Sequence, residues 1–137
     1  MRKYYLAILT IILVIGIIGC SQESGPLADL NADGIKAIEI RTTMTEGSPQ
    51  EKVITEKDEI NKVIEFIKSM EYSKKEKQED INGWEFWLVF DGWDDISYIG
   101  KTARIGEVEY ETNIDNAADR FMNIYESLKS PAQKYPN

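Results

Sequence analysis

The feature that most constrains the fold is a short apolar segment that leads to the single cysteine of the chain. Two basic residues, Arg2 and Lys3, precede a largely apolar run over residues 6–18, and Cys20 follows that run closely. This order is typical of a secretory signal. A membrane-spanning helix needs about 20 apolar residues, and polar residues begin directly after Cys20. The pattern therefore predicts a signal peptide over residues 1–19, with an uncleaved membrane anchor as the alternative.

The residues around Cys20 resemble the lipobox of bacterial lipoproteins. A branched aliphatic residue, Ile17, lies three positions before the cysteine, and Gly19 lies directly before it. The resemblance implies that the Cys20 thiol receives a diacylglycerol and that the signal is cut before this residue. Two acyl chains give stable attachment, since burial contributes about 0.8 kcal/mol per methylene. We therefore expect a lipid-anchored protein on the extracytoplasmic face of the cell membrane.

Composition predicts a tether, one domain and a tail after the signal. Residues 20–34 include Gly25 and Pro26 and few large apolar residues, which is typical of a flexible tether. Residues 35–129 are long enough for a single hydrophobic core. Residues 130–137 are expected to form a disordered tail. Because the chain has no second cysteine, we expect the domain to be stabilised by packing without an internal disulfide.

Hydrophobic periodicity predicts an α+β domain with the element order ββαβββ(β)α. The pattern predicts strands over 35–41, 52–54, 84–90, 96–99, 103–105 and 108–110, a helix over 56–70 and a last helix that begins near 112–114. Thr55 and Asp58 have the chemistry of a helix-capping pair. Both helices carry one apolar stripe. We therefore expect a small antiparallel sheet with two helices on one face.

Two stretches of this pattern resemble small Firmicutes membrane lipoproteins of uncharacterised function. One stretch reads ITEKDEINKVI over residues 54–64, and the other reads GWEFWLVF over residues 83–90. The resemblance implies a lipobox, a tether and one compact α+β domain. It carries over no functional residue.

Charge and residue types exclude several functions. The chain has a formal net charge of −8 and contains no histidine. An acidic protein is a poor partner for nucleic acid, because phosphate backbones attract lysine and arginine. Without histidine, and with Cys20 assigned to the lipid, catalysis of the Ser-His-Asp or Cys-His kind and the usual zinc sites are excluded. The sequence also lacks the glycine-rich phosphate-binding motifs, so we expect no cofactor.

Carboxylates are the remaining side chains that could bind a metal ion or take part in catalysis. Asp91, Asp94 and Asp95 surround Gly92 on a predicted turn, where oxygen ligands could hold Ca²⁺ weakly. Their spacing departs from the EF-hand pattern, and solvated turn residues are the alternative interpretation. A pair of carboxylates that includes Glu85 could instead hydrolyse glycosides, but so small a domain offers little room for a sugar cleft.

Three tryptophans suggest a binding surface. We expect Trp84 to pack in the core, whereas Trp87 and Trp93 could be buried or exposed. The sequence thus predicts a non-enzymatic binding or accessory lipoprotein whose partner is an envelope protein or glycan. Its candidate partner-binding residues are Trp87, Trp93 and Asp91, with Asp94 and Asp95 as weak metal candidates. The alternative is a small carboxylate-based or Ca²⁺-dependent envelope hydrolase.

Overall fold

A computed structural model describes residues 25–79, 82–115 and 117–136 of the chain. The predicted signal, Cys20 and the first residues of the predicted tether lie outside these ranges. The described residues form one antiparallel sheet of eight strands and two α-helices. The predicted α+β class with an antiparallel sheet is confirmed. In this part of the chain, no helix has the length and apolarity that a membrane span requires.

The order of elements along the chain is close to the predicted one. The strands are β1 (Ile38–Thr42), β2 (Gln50–Ile54), β3 (Tyr72–Lys74), β4 (Phe86–Phe90), β5 (Ile96–Ile99), β6 (Thr102–Ile105), β7 (Val108–Thr112) and β8 (Gln133–Lys134). Across the sheet, the strands lie in the order β3-β7-β6-β5-β4-β1-β2-β8. The helices are α1 (Lys57–Lys68), between β2 and β3, and α2 (Ala117–Ser127), between β7 and β8. A short helical turn, Ala32–Gly34, precedes β1.

Alternation along the strands gives the sheet two unlike faces. In β4, Phe86, Leu88 and Phe90 are buried, whereas Trp87 and Val89 between them are only half-buried. The buried side chains form one cluster with the apolar stripes of both helices. Phe121 of α2 stacks on Phe86 with ring centroids 5.0 Å apart. Both helices therefore cover the same face of the sheet, and we call the opposite face the open face.

Two buried charged residues hold the end of α2 against this core. The ammonium group of Lys52 donates to the carbonyl oxygens of Tyr125 at 2.7 Å and Leu128 at 2.9 Å. The carboxylate of Glu59 accepts from the backbone N–H of Lys129 at 2.6 Å. Carbonyl groups at a helix C-terminus have no partner within the helix. Lys52 therefore satisfies groups that would otherwise be buried without a hydrogen bond.

Three details of the predicted elements are wrong. The helix α1 begins at Lys57 after Glu56, and no side chain caps its N-terminus, so the expected role of Thr55 is absent. The helix α2 begins at Ala117, later than the expected 112–114, because Thr112 still belongs to β7 and its hydroxyl donates to the carbonyl of Lys101. The short strand β3 is missing from the predicted elements, and it pairs with β7 through backbone groups.

The predicted flexible tether is wrong for residues 25–34. Leu27 is 4% exposed and Leu30 is fully buried, and both belong to the hydrophobic core. The ammonium group of Lys68 in α1 donates to the carbonyl oxygen of Leu30 at 3.0 Å. Burial of each leucine contributes about 1.5–3 kcal/mol toward holding this Gly- and Pro-containing segment against the core. The rest of the predicted tether lies outside the described residues.

The predicted disordered tail is also wrong for its described residues. The strand β8 lies in this tail and pairs with Gln50 and Glu51 of β2. The next residue, Tyr135, donates its backbone N–H to the carbonyl of Pro49 at 2.8 Å. The ring of Tyr135 also contacts two tryptophan rings of the sheet. Backbone pairing and ring contacts therefore fix a segment whose composition predicts disorder.

Candidate functional site

Register places seven side chains of the open face in one row across the sheet. Trp87 of β4 lies opposite Arg41 of β1 on one side and Ser97 of β5 on the other. The row continues through neighbouring strands at both ends, and its members in order are Glu109, Arg104, Ser97, Trp87, Arg41, Glu51 and Gln133. Six steps between adjacent strands give the row a length of about 29 Å. Indole, guanidinium, hydroxyl and carboxylate groups thus lie side by side on one surface.

Arg41 is held between two aromatic rings in this row. Its guanidinium carbon lies 4.4 Å from the ring centroid of Trp87 and 4.4 Å from that of Tyr135. Its Nε donates to Glu51 at 2.8 Å, and its Nη2 donates to Glu39. Burial alone would lower the pKa of Arg41, but the hydrogen bond to Glu51 and the surrounding negative charges outweigh it and raise this pKa. The group is a permanent, fully engaged cation that fixes both rings.

Three aromatic rings form a cluster at the centre of the open face. The ring centroids of Trp84 and Trp87 are 5.7 Å apart. Tyr135 lies 6.2 Å from Trp84 and 6.4 Å from Trp87, in edge-to-face arrangements. All three side chains are half-buried, so part of each remains accessible to solvent. The expectation that Trp84 packs in the core is wrong, because its ring joins this outer cluster.

A groove runs beside the aromatic cluster. It encloses about 360 Å³, and its lining includes Asn82, Trp84, Trp87, Asp95, Ser97 and Arg104. The indole N–H of Trp87 donates to Asp95 at 3.2 Å, which ties the ring to the wall of the groove. Small-molecule sites commonly enclose about 300–1,000 Å³. The groove therefore has room for a small ligand or for one segment of a polymer.

The far end of the row is covered by the connection between β3 and β4. Glu109 is 1% exposed and accepts from the guanidinium of Arg104 at 3.2 Å and from the backbone N–H of Glu79 at 3.0 Å. The side chain of Gln78 bonds to both backbone groups of Glu109. This buried carboxylate orients Arg104 toward the groove. The accessible part of the row thus extends from Arg104 to Gln133.

The predicted partner-binding residues do not form one surface. Trp87 lies on the open face, but Trp93 packs against the core, with its ring 5.8 Å from that of Phe90. Asp91 is exposed on the turn between β4 and β5, next to Gly92, whose φ of 85° permits the turn. Strand alternation explains the separation, because Phe90 belongs to the helix-covered face and the following turn carries Trp93 toward it.

The three aspartates of this turn do not form a metal site in the structure. Asp95 bonds to Trp87, and Asp94 lies beside Gly106. Among the residues that the structure describes, no group of three or more Cys, His, Asp or Glu side chains is arranged to hold a metal ion. The described lining of the groove contains one carboxylate, that of Asp95.

Sequence reasoning misses Arg41, Arg104 and Tyr135. Arg41 and Arg104 occupy the polar positions of alternating strands, which is a visible signal for the open face, but nothing in the sequence shows that β1 and β4 are neighbours. Tyr135 lies in a segment with tail composition. Their places in the site therefore depend on which strands are neighbours in the sheet, and local sequence patterns do not give that order.

Comparison of the chain with protein-family models, curated proteins and solved structures gave no match. The resemblance to small Firmicutes lipoproteins stays a prediction.

Proposed function

We propose that this protein is a lipid-anchored binding module that uses the open face of its sheet to hold a component of the cell envelope. The groove beside Trp84 and Trp87 is the single observation that carries the proposal. A sheet whose second face lacks covering helices normally presents polar residues to water. Here the centre of that face instead presents two tryptophans and a tyrosine, residue types that are enriched at binding surfaces.

The site is rigid enough to bind without rearrangement. Arg41 is fixed by two carboxylates and two rings, and Asp95 fixes the indole of Trp87. Side chains that are already ordered lose less conformational entropy when a ligand binds, which increases affinity. The sequence contains no histidine, and one carboxylate in the described groove favours binding over hydrolysis.

The anchor at Cys20 supplies the location in this proposal. Lipidation would hold the domain at the outer face of the cytoplasmic membrane, where envelope polymers and proteins are within reach. An overall negative charge would keep the domain from lying flat on anionic lipid headgroups. Membrane fractionation tests this part: Cys20→Ala is expected to move the protein to the medium or to leave an uncleaved precursor. Unchanged cleavage and membrane retention would contradict the anchor.

Site-specific crosslinking tests the binding face in intact cells. A photoreactive residue in place of Ser97, on the floor of the groove, is expected to form adducts with an envelope component. The same residue in place of Glu65, which is exposed on α1 on the other side of the molecule, is the matched control. The proposal requires adducts from position 97 that are absent from position 65. Equal labelling from both positions, or none from position 97, would contradict it.

A further inference from the structure

The groove combines ring surfaces with hydrogen-bonding groups of both kinds. Trp84 and Trp87 provide apolar ring surface, and Asp95 provides a hydrogen-bond acceptor. Ser97 both donates and accepts, Arg104 only donates, and the amide of Asn82 does both. A carboxylate can accept several hydrogen bonds, so Asp95 retains acceptor capacity beyond its bond to Trp87. The groove thus suits a ligand with apolar faces and many neutral donors and acceptors.

The charges around the groove narrow the ligand further. A polyanion would meet a protein with a net charge of −8 and an open face that carries Glu39, Glu51 and Asp95. A strongly cationic peptide would meet one carboxylate, Asp95, in the described lining of the groove, together with the guanidinium of Arg104. Like charges placed together at an interface disfavour binding. A neutral ligand avoids both conflicts.

We propose that the groove binds a neutral saccharide chain, an inference that rests on the proposed function and specifies its ligand. A pyranose ring has an apolar C–H face that stacks on an indole, and its hydroxyl edge meets Asn82, Asp95, Ser97 and Arg104. The groove lies along the row of the open face, whose accessible part from Arg104 to Gln133 spans five strand steps, about 24 Å, which exceeds the length of one sugar. Successive sugars of a chain extend from Trp87 toward Arg41 and Gln133.

Calorimetric titration of the full chain in detergent micelles tests the proposal. The probes are three neutral tetrasaccharides: the β-1,4-linked tetramers of N-acetylglucosamine and of glucose, and the α-1,4-linked tetramer of glucose. At least one is expected to bind saturably, with a Kd of about 1 mM or tighter. Trp87→Ala is expected to raise that Kd about tenfold or more. Tetralysine and an inorganic polyphosphate serve as the charged comparison probes, and neither is expected to bind.

A second variant keeps the test decisive if Trp87→Ala unfolds. Ser97→Trp fills the groove without removing a known contact, and it is expected to weaken saccharide binding by a similar factor. Trp93→Phe, whose ring packs against the core, is the control and is expected to leave the Kd unchanged. Absence of binding by all three tetrasaccharides, or binding that Ser97→Trp does not affect, overturns the proposal. Saturable binding of tetralysine or polyphosphate alone also overturns it.

The two proposals fail separately. If crosslinking from position 97 yields a protein adduct while no saccharide binds, the ligand class is wrong and the binding face remains. If position 97 yields no adduct and saccharides bind elsewhere, the binding face itself is wrong.

Discussion

The two faces of the sheet use aromatic side chains in opposite ways. On the helix-covered face, the ring of Phe121 meets those of Phe86 and Tyr98, with centroids 5.0 Å and 4.9 Å apart. On the open face, Trp87 meets a cation, Arg41, and a carboxylate, Asp95. The first set of rings is sealed from water, whereas Trp87 is half-buried.

The two faces therefore differ in which aromatic residues stabilise the fold and which are available to a partner. A buried ring surrounded by other rings contributes to folding through removal of apolar surface from water. A half-buried ring that contacts charged groups contributes less to folding, since those groups are partly hydrated in any state. The comparison therefore predicts that mutations on the two faces separate stability from binding.

The largest effect is expected from a core ring. Phe121→Ala removes a ring that is 1% exposed and should lower the free energy of unfolding by about 3–5 kcal/mol. Trp87→Ala removes a larger side chain but should cost only about 1 kcal/mol, chiefly the contact with Arg41. Urea unfolding followed by circular dichroism measures both. A cost for Trp87→Ala that equals that of Phe121→Ala would show that the open face is part of the stabilising core.

The second-largest loss of stability is expected from a buried cation, Lys52, and it can be compared with that of Arg41 on the adjacent strand. Lys52 is 8% exposed on the helix-covered face, and its replacement by Met leaves the carbonyls of Tyr125 and Leu128 without their donor. We expect a loss of about 2 kcal/mol for Lys52→Met. Arg41→Met, on the open face, leaves Glu39 and Glu51 without their cation, but their side chains are 40% and 14% exposed to water, so this change should cost less. Thermal and urea unfolding measure the two variants side by side, and the reverse order would contradict the comparison.

Alkaline pH should lower the stability of the folded protein through the buried tyrosines of the helix-covered face. Burial raises the pKa of Tyr72 and of Tyr98, which share a hydrogen bond between their hydroxyls, and burial raises the pKa of Tyr125 to about 12. In the unfolded chain these tyrosine hydroxyls have a pKa of about 10. Their stabilising contribution is complete below that pH and is lost as pH rises through the window up to the raised pKa values.

The expected result is a Tm that falls as pH rises from about 10 to about 12, by roughly 4–8 °C for each kcal/mol lost. Lys52 acts in the opposite direction, because burial lowers its pKa and its deprotonation then favours the folded state as pH rises. Tyr72→Phe removes one of the buried hydroxyls and should reduce the fall in Tm, even if it lowers Tm at neutral pH. A fall of the same size in the variant would show that these tyrosines do not cause it.

The smallest effect on stability is expected at the edge of the open face. Tyr135→Ala removes one of the two rings that hold Arg41 and should cost about 0.5–1 kcal/mol. It should also uncover Trp84 and Trp87, because the ring of Tyr135 lies edge-on to both. Acrylamide quenching of tryptophan fluorescence should increase in this variant. Unchanged quenching would indicate that Tyr135 does not shield the cluster.

The fold can be predicted from the sequence wherever a pattern repeats along one element. The buried stripe of α1, at Ile60, Val63, Ile64 and Ile67, follows helical spacing, and the alternation of β4 identifies its buried phenylalanines and leucine as one face. The packing of residues 25–34 against the core escapes prediction because their two buried leucines are too few to form a pattern. The strand β8 cannot be predicted either, because its two residues form no periodic pattern and become a strand only by pairing with β2.

The candidate site can be predicted only in part, for the same reason. Residue type and position in β4 identify Trp87. Its neighbours Arg41 and Tyr135 are distant in sequence and become neighbours only through the pairing of β1 with β4 and of β8 with β2. The sequence places Trp93 on the predicted binding surface, whereas in the structure its ring packs beside Phe90. A turn residue follows no periodicity, so the sequence does not indicate which way its side chain points. Site residues that depend on strand order require the structure.

The central claim, that the open face is the binding face, can be tested through the indole N–H signals of the three tryptophans in a ¹⁵N-labelled sample. Each tetrasaccharide is added to the full chain in micelles, and the three indole signals are followed by nuclear magnetic resonance. If the open face binds the saccharide, we expect saturable shifts of the Trp84 and Trp87 signals and an unchanged Trp93 signal. A shift of Trp93 alone, or equal small shifts of all three signals, would contradict it.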